Sequence, residues 1–173
     1  MAWDSALGSI IEVAITLAGF SGIVAAMGRR GAGQWSSADQ LLLRILLMSS
    51  GVAILFAFLP FILIDMLESS LMWRLLSGVL VLWLIALAII RMRQAAALGI
   101  RRVYGLHYLY FVCLTLVLIS LLAFNAIWLG SPSLYLLGVL WQVTIAFVTF
   151  VTMLLNSWRK GPRAVTTPAP PTD

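Results

Sequence analysis

Charged residues are scarce in this sequence. Only 10% of its 173 residues are Asp, Glu, Lys or Arg, against about 25% in ordinary soluble domains, and the segment 103–158 contains none of them. A bilayer core about 30 Å thick takes about 20 apolar residues per helical crossing, so this segment is long enough for two crossings. The scarcity of charge excludes a sizeable soluble domain and predicts an integral membrane protein.

Cysteine, histidine and lysine each occur once, which excludes several kinds of site. Cys113 has no second cysteine for an internal disulfide, and it does not share a helix face with His107 as a nucleophile and its base would. One histidine cannot supply two haem ligands within a protomer, and Lys160 lies outside every predicted crossing, so it cannot carry a retinal Schiff base. The sequence also lacks a Gly-rich phosphate loop and a cluster of metal ligands. We therefore expect no enzyme activity, cofactor or metal.

Hydropathy and turn residues predict an all-α membrane bundle of five transmembrane helices. The predicted crossings are residues 5–28, 40–66, 71–90, 104–129 and 134–158, within one domain, 1–158. Ser36, followed three residues later by Asp39, is typical of a helix start, and Gly130–Ser133 is typical of a tight turn. The Pro- and Thr-rich segment 159–173 is predicted to be a disordered cytoplasmic tail.

Basic residues concentrate on one side of the predicted bundle. Those on that side are Arg29, Arg30, Arg91, Arg93, Arg101, Arg102, Arg159, Lys160 and Arg163. The opposite side has one basic residue, Arg74, beside Asp65 and Glu68. Because positive charge is typical of cytoplasmic loops, this pattern predicts an external N-terminus and a cytoplasmic C-terminus. The net charge of +5 is then explained by topology, and no nucleic-acid partner is expected.

Glu12 is a carboxylate deep inside the first predicted crossing, where a charge is costly and usually faces a polar partner or an ion path. At about 1.5 Å per residue it lies about 22–24 Å above the cytoplasmic end of its helix, level with Gln142 and Ser120 and somewhat below Asn125. Arg44 lies much lower and is expected to extend to the cytoplasmic headgroups. This layer predicts an ion or proton site, a Glu12–Gln142 hydrogen bond that locks the bundle, or a misplaced helix boundary.

A polar stripe along the fifth crossing extends this layer. Gln142, Thr149, Thr152 and Asn156 lie within about 80° of one another on a helix. The stripe could line a wet path, or it could form hydrogen bonds between helices worth about 0.6 kcal/mol each. The candidate ion path or polar layer therefore comprises Glu12, Thr16, Ser120, Asn125, Gln142, Thr149, Thr152 and Asn156.

Small residues recur every four positions along the first crossing. They are Ala14, Ala18, Gly22 and Ala26. Small side chains allow close approach of helix backbones in lipid. This stripe predicts either packing against another helix of the same chain or a contact between subunits.

The first third of the chain carries a further pattern. It consists of Ala18–Val24 (Ala-Gly-Phe-Ser-Gly-Ile-Val), then Arg29–Arg30, Trp35–Ser36, Asp39, Arg44 and Leu59–Pro60. In these residues the chain resembles small multi-pass membrane proteins of bacteria that have no assigned activity. The resemblance implies the bacterial inner membrane and supplies neither catalytic residues nor a substrate.

Two functional hypotheses follow from these residues. The first is a homo-oligomeric channel, or an ion- or proton-conducting protein, with its path between protomers beside Glu12. The second is a non-conducting accessory or scaffolding subunit that packs through the small-residue stripe against a larger membrane complex. In both hypotheses the bilayer surrounds the protein, and the partners are further copies of this chain or foreign membrane helices.

Overall fold

The computed structural model describes residues 2–30, 37–97 and 105–159, and these ranges are helical apart from two short turns. The helices are α1 (Ala2–Arg30), α2 (Ser37–Leu63), α3 (Ser69–Ala97), α4 (Gly105–Phe124) and α5 (Pro132–Arg159), with one π-helical turn, Asn125–Leu129, after α4. The described ranges contain no strand. The side chains discussed below belong to residues 3–23, 40–90, 93 and 110–155.

Each of the five helices contains a segment that is long and apolar enough to cross a membrane. These segments are Trp3–Ile23, Gln40–Leu63, Ser69–Ile90, Tyr110–Leu129 and Pro132–Leu155, and the fourth continues from α4 through the π-helical turn. At a rise of about 1.5 Å per residue, each one matches a hydrocarbon core about 30 Å thick. The protein is therefore an all-α, multi-pass membrane protein, as its hydropathy predicts.

The observed helix ends lie within about three residues of the predicted ends, except that α4 ends at Phe124, before the π-helical turn, and that α3 is longer than predicted. That helix continues beyond Ile90 to Ala97, because the alanines near its end favour a helix even where the hydropathy falls. The chain turns after Leu63, whose carbonyl accepts hydrogen bonds from the N–H groups of Met66 and Leu67. The predicted cap residue of α2, Ser36, and residues 160–173 of the predicted tail lie outside the described residues.

The helices run up and down, so the two ends of the bundle differ in charge. The end that holds the C-termini of α1, α3 and α5, with Arg93 close by, is called the basic end here. The opposite end, called the acidic end, carries Asp65 and Glu68 in the turn between α2 and α3. An aromatic cluster also lies at the acidic end, where the Trp73 ring centroid is 5.2 Å from that of Trp3 and 5.5 Å from that of Tyr135.

Helices α1, α2 and α5 form the central packing unit, and α3 and α4 pack beside it. The facing surfaces of the three central helices include the fully buried alanines Ala14, Ala53 and Ala146, which let the backbones approach closely. At Gly138 the backbone of α5 approaches the other two helices. A Cβ atom there would lie 2.7 Å from the Leu80 side chain and 2.8 Å from that of Leu122.

Pro60 lies inside α2 and removes one hydrogen bond from that helix. A proline has no N–H, so the carbonyl of Phe56, four residues earlier, loses its usual donor. The Tyr135 hydroxyl of α5 donates to this carbonyl at 2.6 Å. Pro60 and Tyr135 are both buried. The hydroxyl thus replaces the missing backbone donor in a place that water does not reach, and it fixes the register of α2 against α5.

We predict that Tyr135→Phe lowers the free energy of unfolding by about 1–3 kcal/mol, because the buried Phe56 carbonyl then has no donor. In a Pro60→Ala background the restored N–H can reach that carbonyl, so the same change should cost less, and a double-mutant cycle should give a clear coupling energy. Unfolding in detergent measures each corner of the cycle. Tyr110→Phe is the control, since Tyr110 is 70% exposed. Equal costs in the two backgrounds would contradict the role given to Tyr135.

Candidate functional site

Three polar side chains form a buried line along α5. Tyr135, Gln142 and Thr149 are spaced by seven residues, so they lie on one face of the helix, and their exposed fractions are 0%, 0% and 8%. The sequence stripe contains Gln142 and Thr149 but omits Tyr135, which continues it toward the acidic end. The seven-residue spacing that relates Gln142 to Thr149 also relates Tyr135 to Gln142, so this spacing could have identified Tyr135 from the sequence.

The middle residue of this line differs from its neighbours in its hydrogen bonding. Tyr135 donates to the Phe56 carbonyl of α2, and the Thr149 hydroxyl donates to the Ile145 carbonyl of its own helix at 2.7 Å. Neither Nε2 nor Oε1 of Gln142 has a hydrogen-bond partner among the described residues. A buried polar group without a partner costs about 1–3 kcal/mol. A polar group that bound to the Gln142 amide would therefore remove this cost.

The register of α2 against α5 places serines beside Gln142. The two helices are antiparallel, and Tyr135 contacts Phe56, so two turns further along α5 Gln142 is level with Ser49 and Ser50. Both serines are buried, at 2% and 0% exposed, and the Ser50 hydroxyl has no partner in the described part of the chain. We call Ser49, Ser50 and Gln142 the mid-helix polar cluster.

Glu12 faces away from this cluster. The buried side of α1 is formed by Leu7, Ala14 and Ser21, whereas Glu12 is exposed and lies on the opposite side of the helix at about 100° per residue. The protomer therefore does not bring Glu12 and Gln142 into one polar layer, and the predicted hydrogen bond between them is wrong. Depth follows from residue counting, but the direction of a side chain depends on which apolar face the helix buries.

The other candidate hydroxyls are paired within their own helices. Thr16 is exposed and donates to the Glu12 carbonyl at 2.8 Å, and exposed Ser120 donates to the Leu116 carbonyl at 3.0 Å. Thr152 is half-buried and donates to the Val148 carbonyl. Such bonds to the preceding helical turn satisfy a hydroxyl without joining two helices. The side chain of Asn156 lies outside the described residues.

The small-residue stripe of α1 winds from the core to the outside. Four residues turn a helix by slightly more than one full turn, so a four-residue repeat drifts by about 40° per step. Ala14 is buried, Ala18 half-buried and Gly22 exposed, with nothing within 4 Å of a Cβ atom at Gly22. The side chain of Ala26 lies outside the described residues. The stripe thus packs within the protomer at Ala14 and is open to a neighbouring helix at Gly22.

Asn125 belongs to a separate structure at the acidic end. Its Oδ1 accepts from the Ser131 N–H at 2.7 Å, and its Nδ2 donates to the Ser131 carbonyl at 3.0 Å and to the Ser77 hydroxyl at 2.8 Å. This fully buried amide joins the π-helical turn, the start of α5 and helix α3. We call Asn125, Ser77 and Ser131 the asparagine clamp. Asn125 therefore holds helices together and does not belong to a layer with Glu12 or Gln142.

Two further contacts close the chain beside the asparagine clamp. Gly130 has φ +61°, and its N–H donates to the Asn125 carbonyl at 2.9 Å, which ends the π-helical turn. A Cβ atom at Gly130 would lie 2.7 Å from the Ser70 carbonyl oxygen of α3, so glycine is required both by its conformation and by the available space. Arg74 donates from Nη2 to the Trp128 carbonyl at 2.6 Å, which pairs a backbone group at the helix end.

Replacement of the clamp amide should destabilise the bundle. Asn125→Leu keeps the side-chain size but leaves the Ser131 backbone groups and the Ser77 hydroxyl without their partner, so we expect a loss of about 2–3 kcal/mol in unfolding free energy. Ser120→Ala is the control, because that hydroxyl is exposed and bonds only to its own helix. Thermal or SDS-induced unfolding measures both variants. A loss no larger than that of the control would mean that the clamp contributes nothing to stability.

Replacement of Gln142 is expected to stabilise the protein, in contrast to replacement of Asn125. Gln142→Met removes an unpaired buried amide at similar volume, so the free energy of unfolding should rise by about 1–3 kcal/mol. Thr149→Val is the matched control on the same helix face, and it should change little because its hydroxyl bonds only to its own helix. If Gln142→Met instead lowers stability, the amide has a polar partner in the membrane, such as an ordered water.

Comparisons with known proteins add no relative to this description. No protein-family model matches the chain, and neither a curated protein nor a solved structure matches it. The functional conclusion therefore depends on the residues themselves: an outward carboxylate on α1, the mid-helix polar cluster inside the bundle, and the asparagine clamp at its acidic end.

Proposed function

We propose that this chain is the protomer of a homo-oligomeric channel or ion- or proton-conducting membrane protein, with its path between protomers along α1. The observation that supports this proposal most directly is the position of Glu12. It is nine residues from the start and eleven from the end of the span Trp3–Ile23, and its side chain is exposed on the surface of the protomer. A charged side chain in mid-membrane costs about 2.5–3.5 kcal/mol or more when lipid surrounds it. A second protomer against this face would remove the carboxylate from lipid.

The surface around Glu12 fits a wet contact between helices. Ser9, Glu12 and Thr16 are all exposed and lie within about 60° of one another around α1. Gly19, one turn further along, has open space around its Cβ position. Polar and small residues thus form one outward strip, which we call the α1 outer strip (Ser9, Glu12, Thr16 and Gly19). It offers oxygen atoms to an ion or proton and close approach to another helix.

The residues inside the protomer have a different place in this proposal. Gln142 and Thr149 are buried inside the protomer, so the proposed path excludes them, and Ser120 is exposed on α4, away from α1 in the chain. Of the sequence candidates, Glu12 and Thr16 remain on the path. The proposal assigns no catalytic activity to the chain.

Orientation and location are part of the same proposal. We place the N-terminus outside and the C-terminus in the cytoplasm, because basic residues concentrate at the C-terminal ends of α1, α3 and α5. We place the protein in the bacterial inner membrane, as the resemblance of its first third implies. An ion or proton from either surface would then cross about half of the bilayer to reach Glu12.

The proposal predicts that flux depends on Glu12. In liposomes that contain the purified protein, Glu12→Gln and Glu12→Ala should lower ion or proton flux by about tenfold or more, because the path loses its only carboxylate in mid-membrane. Glu68→Gln is the control, since Glu68 is exposed in the turn between α2 and α3. Unchanged flux in both Glu12 variants, or no flux under any driving force, would reject conduction.

An accessory or scaffolding role is the second candidate, and the same strip supports it. A foreign helix with an Arg or Lys could pair with Glu12 and approach closely at Gly19 and Gly22, where nothing lies within 4 Å of the Cβ positions. Native mass spectrometry of protein extracted gently from its own membranes separates the two candidates. An oligomer of 19.0 kDa protomers supports the channel, whereas a stoichiometric foreign subunit supports the accessory role.

A further inference from the structure

A groove opens between α2 and α3 toward the basic end of the bundle. Its volume is about 120 Å³. It is lined from α2 by Leu41, Arg44 and Met48, and from α3 by Trp83, Leu87 and Ile90, among others. The groove exists because α2 packs chiefly on α1 and α5, whereas α3 packs chiefly on α4 and the π-helical turn. The two helices are therefore neighbours that leave a cleft on the lipid side.

The lining residues give the groove two chemically different parts. Each helix supplies one ridge over two turns, so the groove is about 10 Å long. Its walls are apolar except at Arg44, whose side chain is exposed. Arg44 lies one turn inside the span that starts at Gln40, where a long side chain can extend its guanidinium to the headgroup region. None of the described residues that line the groove is acidic, so none of them neutralises that charge.

We propose that this groove binds an anionic phospholipid, with the lipid phosphate on Arg44 and one acyl chain along the apolar walls. A guanidinium is suited to phosphate because its planar N–H groups form paired hydrogen bonds with two oxygens. Basic sites between transmembrane helices near the cytoplasmic surface are typical places for anionic headgroups. The site is independent of Glu12, which is exposed on the surface of a different helix, α1, so conduction and lipid binding can fail separately.

The argument favours a lipid over other occupants. Inorganic phosphate would use Arg44 but would leave the apolar walls empty. A zwitterionic lipid has an acyl chain for the walls, but its headgroup carries no net negative charge. A transmembrane helix is about 10 Å in diameter, so a helical segment as long as the groove has a volume well above about 120 Å³ and does not fit inside it. A single acyl chain is thin enough to lie along the groove.

Native mass spectrometry of the delipidated full-length protein tests the site. The protein is titrated with phosphatidylglycerol and, separately, with phosphatidylcholine of the same acyl chains. We expect one phosphatidylglycerol per protomer to bind about tenfold more tightly than phosphatidylcholine, and Arg44→Gln to remove about tenfold of that affinity. Arg93→Gln is the matched control: the residue is exposed near the same end, has the same charge, and does not line the groove. It should change the affinity less than about twofold.

A second variant separates the groove from surface charge alone. Ala86 also lines the groove and is exposed, so Ala86→Phe should fill the cleft without strain in the core and abolish the tight site while Arg44 is unchanged. Equal thermal midpoints for the variants and the parent protein show that each is folded. The proposal is overturned if Arg44→Gln and Arg93→Gln behave alike, if Ala86→Phe still binds one lipid tightly, or if inorganic phosphate displaces the lipid completely.

Discussion

The structure depends on the pairing of backbone polar groups that lipid cannot satisfy. Within the hydrocarbon core an unpaired carbonyl or N–H costs several kcal/mol, so each break in a helix must be repaired by the protein. One such repair in the central unit is at Pro60, where the Tyr135 hydroxyl takes the place of the missing donor to the Phe56 carbonyl. This bond sets the register between α2 and α5, and the register in turn brings Ser49, Ser50 and Gln142 to one level. A repair of the backbone thereby determines which polar side chains lie at the same level in the core.

A similar repair ends α4. The π-helical turn shifts the chain so that Asn125 points into the bundle, where it pairs with both backbone groups of Ser131 and with Ser77. Gly130 permits the left-handed step that follows. Such π-helical turns are frequent at functional sites, but here every polar atom of the Asn125 amide is used in holding three segments together. The turn is therefore explained by architecture.

The sequence predicts the number, type and approximate bounds of the helices because hydropathy and turn residues are local properties. It also predicts depth, because each residue advances a helix by a fixed rise. It does not predict whether a side chain points into the bundle or away from it when the helix is apolar on most sides. Glu12 and Gln142 are predicted to lie at one depth, but the Glu12 side chain is exposed and the Gln142 side chain is buried. The role of Tyr135 depends on Pro60 in another helix, and no pattern within α5 contains that information.

Glu12 and Gln142 therefore differ in the free-energy cost of their polar side chains and in how that cost can be lowered. The Gln142 amide is neutral, so its unpaired state costs about 1–3 kcal/mol, which a well-packed bundle can tolerate. Glu12 is ionisable and exposed on the surface of the protomer, where a charge surrounded by lipid would cost about 2.5–3.5 kcal/mol or more. Contact with another membrane helix, or with water held by one, would remove that cost. The proposed function is accordingly placed at the outward residue: a buried amide can be retained for packing alone, whereas a neighbouring helix would stabilise an outward carboxylate in mid-membrane.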